Sequence, residues 1–187
     1  MSLIGKKVSP FTVNAYHKDA FIEVTEKDLL GKWNVFVFYP ADFSFVCPTE
    51  LEDLALNYEK FKSLGCEVYS LSTDSHFVHK AWHDASDSIR KIQFPMLADT
   101  AGKIAKDFDV LIEDTHQALR GSFVINPEGV IVAYEVNDMG IGRSAKELIR
   151  RVEAAQFVAE NGDQVCPANW LAGDETIKPD IDLVGKI

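Results

Sequence analysis

Three cysteines, Cys47, Cys66 and Cys166, carry all the thiol chemistry available to this 187-residue chain. Cys47 lies in "YPADFSFVCPTE", straight after an apolar run and straight before Pro-Thr-Glu. Cys66 opens "CEVYSLST" just after Gly65, and Cys166 sits in "QVCPANW". An odd and sparse set argues against a secreted disulfide scaffold and for reduced thiols able to react. The chain has no C-x-x-C, so neither a zinc knuckle nor a thioredoxin-type redox pair is encoded locally.

Cys47 is placed where a buried strand gives way to a helix. With Ser44 as cap, the thiol falls in the first helical turn, where backbone N–H groups lack carbonyl partners. Pro48 loses little there, because its missing N–H would be an orphan in any case. Those N–H groups favour an anion, and hence thiolate over thiol. Their effect is small, about 0.3–1 kcal/mol. A guanidinium at about 4 Å contributes about 4 kcal/mol at an effective dielectric near 20. A cation must therefore dominate, the more so in a chain of net charge -10.

Five arginines are available: Arg90, Arg120, Arg143, Arg150 and Arg151. Arg120 stands immediately before the strand pattern "GSFVIN", from which it can reach the end of a neighbouring central strand. Arg143 follows "GIG" at the entrance to the last helix. The other three lie in helical patterns that face water, so Arg120 ranks first and Arg143 second. A free cysteine also packs as a small hydrophobe, and position alone leaves both readings of Cys47 standing.

The elements that must position these groups follow from periodicity. "AFIEVTE" alternates as an early strand, and "WNVFVFYP" reads as a central strand buried on both faces. Residues 49–64 turn helical, with Gly65 as the stop. "CEVYSLST" is a strand and "SHFVHKAWHDAS" a helix capped by Ser75. "FPMLAD" predicts a short strand and "AGKIAKDFD" a short helix. "GSFVIN" and "VIVAYEV" flank the turn signal "PEG" and form a hairpin. "SAKELIRRVEAAQFVAE" is a long amphipathic helix, with Ser144 and Glu147 at capping-box spacing. Beyond Gly162 the pattern becomes irregular, so residues 1–162 form the domain and residues 163–187 a tail that carries Cys166. The whole is an α/β fold, a mixed central sheet with helices on both faces.

Composition narrows the function. With 47% apolar and 26% charged residues the chain can build a substantial core. Its 29 acidic against 19 basic residues give a field that repels nucleic acid and anionic membrane surfaces. The N-terminal "MSLIGKKVSP" lacks the apolar stretch of a signal peptide, and no run approaches the roughly 18 apolar residues of a membrane span. A cytoplasmic address is the default expectation. His76, His79 and His83 recur at helical spacing, a pattern that suits a metal face; polar packing or an exposed helix face is the favoured reading. Cys66 reads as core packing. Phe36, Phe38, Phe43 and Phe45 are expected to build the core around the strand end, or else to line an apolar mouth.

The spacing Pro40-x-x-x-Ser44-x-x-Cys47 followed by Pro48 resembles the active-site signature of the peroxiredoxins. "STDSHFVHKAWH", "GSFVINPEG", "GIGR", "QVCPANW" and the terminal "LVGKI" follow in family order, so the resemblance covers nearly the whole chain and is closest to the typical two-cysteine type. It implies a thioredoxin-like fold and a thiol-dependent peroxidase that reduces hydrogen peroxide and organic hydroperoxides. By carry-over Cys47 is the peroxidatic cysteine and Cys166 the resolving one, joined as a Cys47–Cys166 disulfide between subunits. Ser44 and Pro40 shape the thiolate pocket, Arg120 stabilises the thiolate, and Glu50 and Arg143 orient Arg120. A homodimer, gathered into a decamer of five dimers, is implied. So is a NADH-dependent flavoprotein disulfide reductase as reductant, with thioredoxin as the alternative. This chain shows no G-x-G-x-x-G and no phosphate loop, so flavin and nicotinamide belong to the partner and no bound cofactor or metal is expected. Oxidation-sensitive relatives carry a Gly-Gly-Leu-Gly insertion and a C-terminal Tyr-Phe pair. Here the chain has "DSIRKIQFPM" and ends "DLVGKI", which predicts resistance to over-oxidation.

Overall fold

In the computed structural model, which describes residues 2–187, the chain runs β1 (Thr12–His17), β2 (Ala20–Thr25), β3 (Trp33–Phe38), α1 (Cys47–Leu56), α2 (Tyr58–Ser63) and β4 (Cys66–Ser72). It continues through α3 (His76–Ala85), β5 (Met96–Ala98), α4 (Lys103–Asp107), β6 (Leu111–Ile112), β7 (Gln117–Ala118), β8 (Arg120–Ile125), β9 (Ile131–Asn137) and α5 (Ala145–Glu160). Seven strands form one sheet in the order β2-β1-β5-β4-β3-β8-β9, and β6 and β7 make a separate ribbon. β3 pairs parallel with β4 and antiparallel with β8. The sheet is therefore mixed, as its sequence pattern predicts.

β3 shows why the sheet divides two cores. Its side chains alternate with period two, so Val35, Val37 and the following Tyr39 join Leu51, Trp82 and Leu148 on one face. Phe36 and Phe38 join Phe108, Phe123 and Ile104 on the other. Because both faces are covered, the strand reads as continuous apolar sequence. Each fully buried aliphatic or aromatic side chain contributes about 1.5–3 kcal/mol. Phe36, Phe38 and Phe123 are all fully buried.

Three local expectations are corrected. The helix expected over residues 49–64 is two, α1 and α2, broken at Asn57, whose side chain donates to the Asp53 carbonyl at 2.8 Å. Such side-chain bonding competes with the helical ladder. Ser144 and Glu147 form no capping box. The Asp53 carboxylate instead accepts from the Ala145 N–H at 2.8 Å, and Glu147 turns to Arg150 and Arg151. Finally, the early strand expected at "AFIEVTE" is β2, and β1 precedes it. It pairs with β2 through Lys18 and Asp19, both at positive φ, and Lys-Asp is not one of the dipeptides that mark such turns. The hairpin of β8 and β9 turns as expected, with the Asn126 side chain accepting from Val130 N–H and Gly129 at φ 78°.

Residues 163–187 hold little regular structure. One bridge joins Val165 to Ile177, and Trp170, 3% exposed, packs on Phe157 of α5 with ring centroids 5.2 Å apart. The tail is irregular but clasped to α5 at that point. Among the described residues no helix is long and apolar enough to cross a membrane.

Candidate active site

The end of β3 sets the site. The chain leaves the sheet at Tyr39, runs through Pro40–Val46 and enters α1 at Cys47. Cys47 has no exposed surface, and Pro40 is buried with it. Ser44 does not cap α1. Its hydroxyl donates to the Ala41 carbonyl at 2.8 Å, while the cap position is Val46, in helical conformation and with no side-chain cap bond. The loop curls on itself, so the cap lies two residues later than local spacing suggests. Phe43, beside it, holds φ at 53°, a left-handed conformation that costs an ordinary residue about 1–2 kcal/mol. Phe43 and Phe45 are 57% and 94% exposed, not core. Of the two uses expected for these aromatics, the apolar rim fits them, and the core holds only Phe36 and Phe38.

β8 runs antiparallel beside β3, with Ser122 opposite Val37. Arg120, two residues before Ser122, therefore lies past the end of β3, over the first turn of α1. Its Nη1 stands 3.4 Å from Cys47 Sγ and donates to Glu50 Oε2 at 2.6 Å, while Nε donates to the Met139 carbonyl at 2.6 Å. Arg143 grips the same carboxylate. Its Nε and backbone N–H donate to Glu50 Oε1 at 2.8 and 2.9 Å, and Nη2 donates to Oε2 at 3.0 Å. Arg143 Nη1 also donates to the Gly121 carbonyl at 2.7 Å. The three ionic side chains are each 4% exposed. The structure thus brings Cys47, Glu50, Arg120 and Arg143 together, with Pro40 and Ser44 in the loop ahead of them.

The charges can be counted. Burial pushes the Glu50 carboxyl up, but hydrogen bonds and charge from Arg143, and then charge from Arg120, hold it below the usual range. Two guanidiniums against one carboxylate leave one net positive charge in a site closed to water. At 3.4 Å an isolated cation favours an anion by about 5 kcal/mol at an effective dielectric near 20. The helix end offers several times less. The cluster is complementary to a thiolate.

Cys166 is built differently. It is half-buried in the tail, with Sγ 3.9 Å from the Ala154 carbonyl of α5. Burial pushes its thiol up, and the nearby Arg150 charge pulls the other way. Ala154 lies nine residues beyond Ala145, where α5 meets α1 through Asp53. That is about 13 Å along the helix, so the contact that holds Cys166 and the contact that joins α1 to α5 lie more than two turns apart. Cys66 is buried in the core, and burial together with Glu67 pushes its thiol well up. It is packing.

The histidines of α3 are held by polar packing. His79, fully buried, places Nδ1 2.7 Å from Asp42 Oδ2 and Nε2 3.1 Å from the Leu97 carbonyl. His83 meets the Tyr16 hydroxyl at 3.2 Å, and His76 lies edge-on to Phe21 with centroids 4.8 Å apart. Among the described residues no group of three or more His, Cys, Asp or Glu is arranged to hold a metal ion. Sequence reasoning missed Asp42 and Tyr39, whose hydroxyl donates to Asp42 Oδ1 at 2.7 Å. Only the helical spacing of His79 hinted at the cluster.

Comparison with known proteins points one way. Residues 4–134 match the AhpC/TSA family, and residues 154–186 match the C-terminal domain of 1-Cys peroxiredoxin. The chain is 57% identical to alkyl hydroperoxide reductase C of Bacillus subtilis over 187 residues, the full length of both. It is 58% identical to the protein of that name from Amphibacillus xylanus, again over all of both chains. Among solved structures it is similar to AhpC of Enterococcus faecalis, with TM-score 0.87 and 57% identity over 89% of this chain and 100% of that one. It is also similar to the reduced 2-Cys peroxiredoxin of Plasmodium vivax, with TM-score 0.92 and 33% identity over 97% of this chain and 96% of that one.

Proposed function

The chain belongs to the AhpC/TSA family, and from that premise we propose that Cys47 is its peroxidatic thiol and Cys166 its resolving thiol. The fold is that of the thioredoxin-like peroxiredoxins, and the protein is an enzyme, a thiol-dependent peroxidase. The observation that carries the residue assignment is the buried, net positive Arg120–Glu50–Arg143 cluster with Arg120 3.4 Å from Cys47 Sγ.

The Cys47 thiolate attacks the terminal oxygen of a hydroperoxide in line. An S–O bond forms, the O–O bond breaks, and the leaving oxygen takes a proton as water or alcohol. Arg120 shares its Nη1 between sulfur and Glu50, so it meets both the thiolate and the charge that shifts onto peroxide oxygen; donors of this kind are among the larger contributors to rate. Arg143 and Glu50 keep that guanidinium in place. Pro40 keeps water from the sulfur. To the Ser44 hydroxyl, which sits on the Ala41 carbonyl, we assign a hydrogen bond to the bound peroxide. Exposed Phe43 and Phe45 give the entrance an apolar rim that suits alkyl hydroperoxides.

The Cys166 sulfur then attacks the Cys47 sulfenic acid. The S–S bond forms and water leaves, so two thiols have supplied the two electrons. An external reductase partner restores the thiols by exchange. We assign that role to a flavoprotein disulfide reductase, with thioredoxin as the alternative. The separation along α5 of the α1 contact at Ala145 and the Cys166 contact at Ala154 supports a disulfide between subunits. Two surfaces support the assembly this needs. β9 is an open sheet edge beside an apolar cleft of about 420 Å³ lined by Trp33, Val132, Ala133, Ala154 and Val158, which suits a dimer. Exposed Phe21 and Phe77 form an aromatic patch with His76, which suits the contacts between dimers in a decamer. An odd and sparse set of three cysteines suits a cytosolic setting.

Non-reducing electrophoresis before and after peroxide tests the assignment. A dimer band that needs both Cys47 and Cys166 is expected. A band that survives Cys166→Ser, or a disulfide within one chain, would overturn it.

A further inference from the structure

Cys47 faces two incompatible demands. Peroxide reduction needs it where it stands, against Arg120 in a recess that admits only a small molecule. Disulfide formation needs its sulfur to meet Cys166, which no fully buried atom can do. The segment Pro40–Val46 must hold for the first step and release for the second.

That segment is fastened at one place above all. Asp42, whose side chain is 1% exposed, accepts from the Tyr39 hydroxyl at 2.7 Å and lies 2.7 Å from His79 Nδ1 of α3, itself 0% exposed. His79 Nε2 donates to the Leu97 carbonyl at 3.1 Å. The Asp42 backbone N–H donates to Asp74, which also holds Ser72. Every side-chain polar atom of the pair thus has a partner, and one proton lies between Nδ1 and Oδ2. The next residue, Phe43, sits at positive φ, and Phe45 faces solvent. A strained, apolar and exposed turn is followed at once by the reactive cysteine, and a buried polar pair closes it on the upstream side. No step of the peroxidase chemistry uses Asp42 or His79.

We propose that the Asp42–His79 pair, braced by Tyr39, is a latch: it positions the Pro40–Val46 loop for peroxide reduction and, by opening, sets how readily Cys47 reaches the resolving thiol. The residues are positioning residues, and the proposal rests on the assignment of Cys47 and Cys166 above. A two-state loop responds to loss of a contact made only in its closed state by shifting toward the open one. Severing the latch must therefore move the two half-reactions in opposite directions. A purely structural role would slow both together.

The test is rapid mixing of the reduced full-length protein with hydrogen peroxide, following sulfenate formation and disulfide formation as separate phases. In His79→Ala the first is expected to slow by about tenfold to a hundredfold, as misplacement of reacting groups does. The second is expected to quicken by roughly tenfold, the population shift that one lost charge-assisted hydrogen bond allows. Asp42→Asn preserves the shape and offers an N–H to His79 Nδ1, and is expected to keep both phases within about threefold of wild type. Should circular dichroism show His79→Ala unfolded, Tyr39→Phe, which removes one hydroxyl and leaves the pair, is measured in the same way. It is expected to shift both phases in the same opposed sense by about threefold. Parallel slowing, or no change in either phase, in the folded variant overturns the latch. A wild-type protein that forms no sulfenate at Cys47 would overturn the peroxidase assignment instead, so the two failures are distinct.

Discussion

The surroundings of Cys47 and of Cys166 differ in nearly every physical respect. Cys47 is fully buried, with a guanidinium 3.4 Å away and a carboxylate held by two arginines. Cys166 is half-buried on a segment with one β-bridge and one buried aromatic anchor. The first region stabilises a charge and needs fixed geometry. Under the proposed assignment the second supplies a reactant that has to travel, and a thiol on a rigid strand could not. The proposed cycle uses both regimes, preorganised electrostatics for the oxygen transfer and loose tethering for the sulfur exchange.

The most severe way to break the comparison is to remove each sulfur in turn. Cys47→Ser is expected to lower peroxide consumption by more than about 10⁴-fold. Cys166→Ser should consume one equivalent at the wild-type rate and then stall. Stopped-flow peroxide consumption separates the two, and equal losses in both variants would mean that the regions are not divided as described. Next comes the arginine beside each thiol. Arg120→Met is expected to slow sulfenate formation by about 10²–10³-fold, the cost of one preorganised donor. Arg150→Met, which removes a partly exposed charge near Cys166, should change disulfide formation by no more than about threefold.

Much of the first region was legible in the sequence, and the reason is locality. β3 announces itself because both of its faces are buried, and the hairpin that carries Arg120 is marked by Pro-Glu-Gly. Arg120 could be ranked above the other arginines because a residue opening a strand beside β3 must overhang its end. What escaped depends on the path of the loop in three dimensions. Ser44 has cap spacing but turns to Ala41, and Phe43 and Phe45 are apolar yet face outward. Asp42 gives no sign in sequence that its partner is His79, 37 residues on. The tail offered its irregularity and the "QVCPANW" match around Cys166, while the anchoring of Trp170 on Phe157 is a tertiary contact with no periodic signature.

Glu50 sharpens the comparison through pH. Its carboxyl is held below the ordinary value of 4.5 despite burial, because Arg143 and Arg120 stabilise the charged form. A carboxyl lowered in the folded state contributes stability that is fully present above the unfolded value and lost as pH falls through the folded one. The site should therefore hold at neutral pH and weaken below about pH 4.5. Glu50→Gln leaves two buried guanidiniums facing each other, and a cost of about 3–5 kcal/mol is expected. Urea unfolding as a function of pH should show that cost at neutrality and a shallower loss in acid. An unchanged acid slope would mean that Glu50 is not the group responsible.

The smallest effect is expected in the tail. Trp170→Ala removes the one deeply buried side chain that fastens residues 163–187 to α5. A core truncation such as Leu51→Ala should cost about 2–5 kcal/mol globally. Trp170→Ala should leave the global midpoint nearly unmoved and instead speed amide exchange in the tail, because the segment opens as a local unit. With its tether gone, Cys166 should reach the sulfenate a few times faster, about threefold if the anchor holds the tail by roughly 0.7 kcal/mol. Sulfinic acid forms only while the sulfenate waits for a thiol. Mass spectrometry after a stoichiometric peroxide pulse should then find Cys47 free of sulfinate in the wild type, and still free of it in Trp170→Ala at a peroxide excess that begins to oxidise the wild type further. More sulfinate in the variant would mean that Trp170 presents Cys166 to its target rather than restraining it, and the tail would then be a positioned arm, closer in kind to the Arg120 site than its sparse contacts suggest.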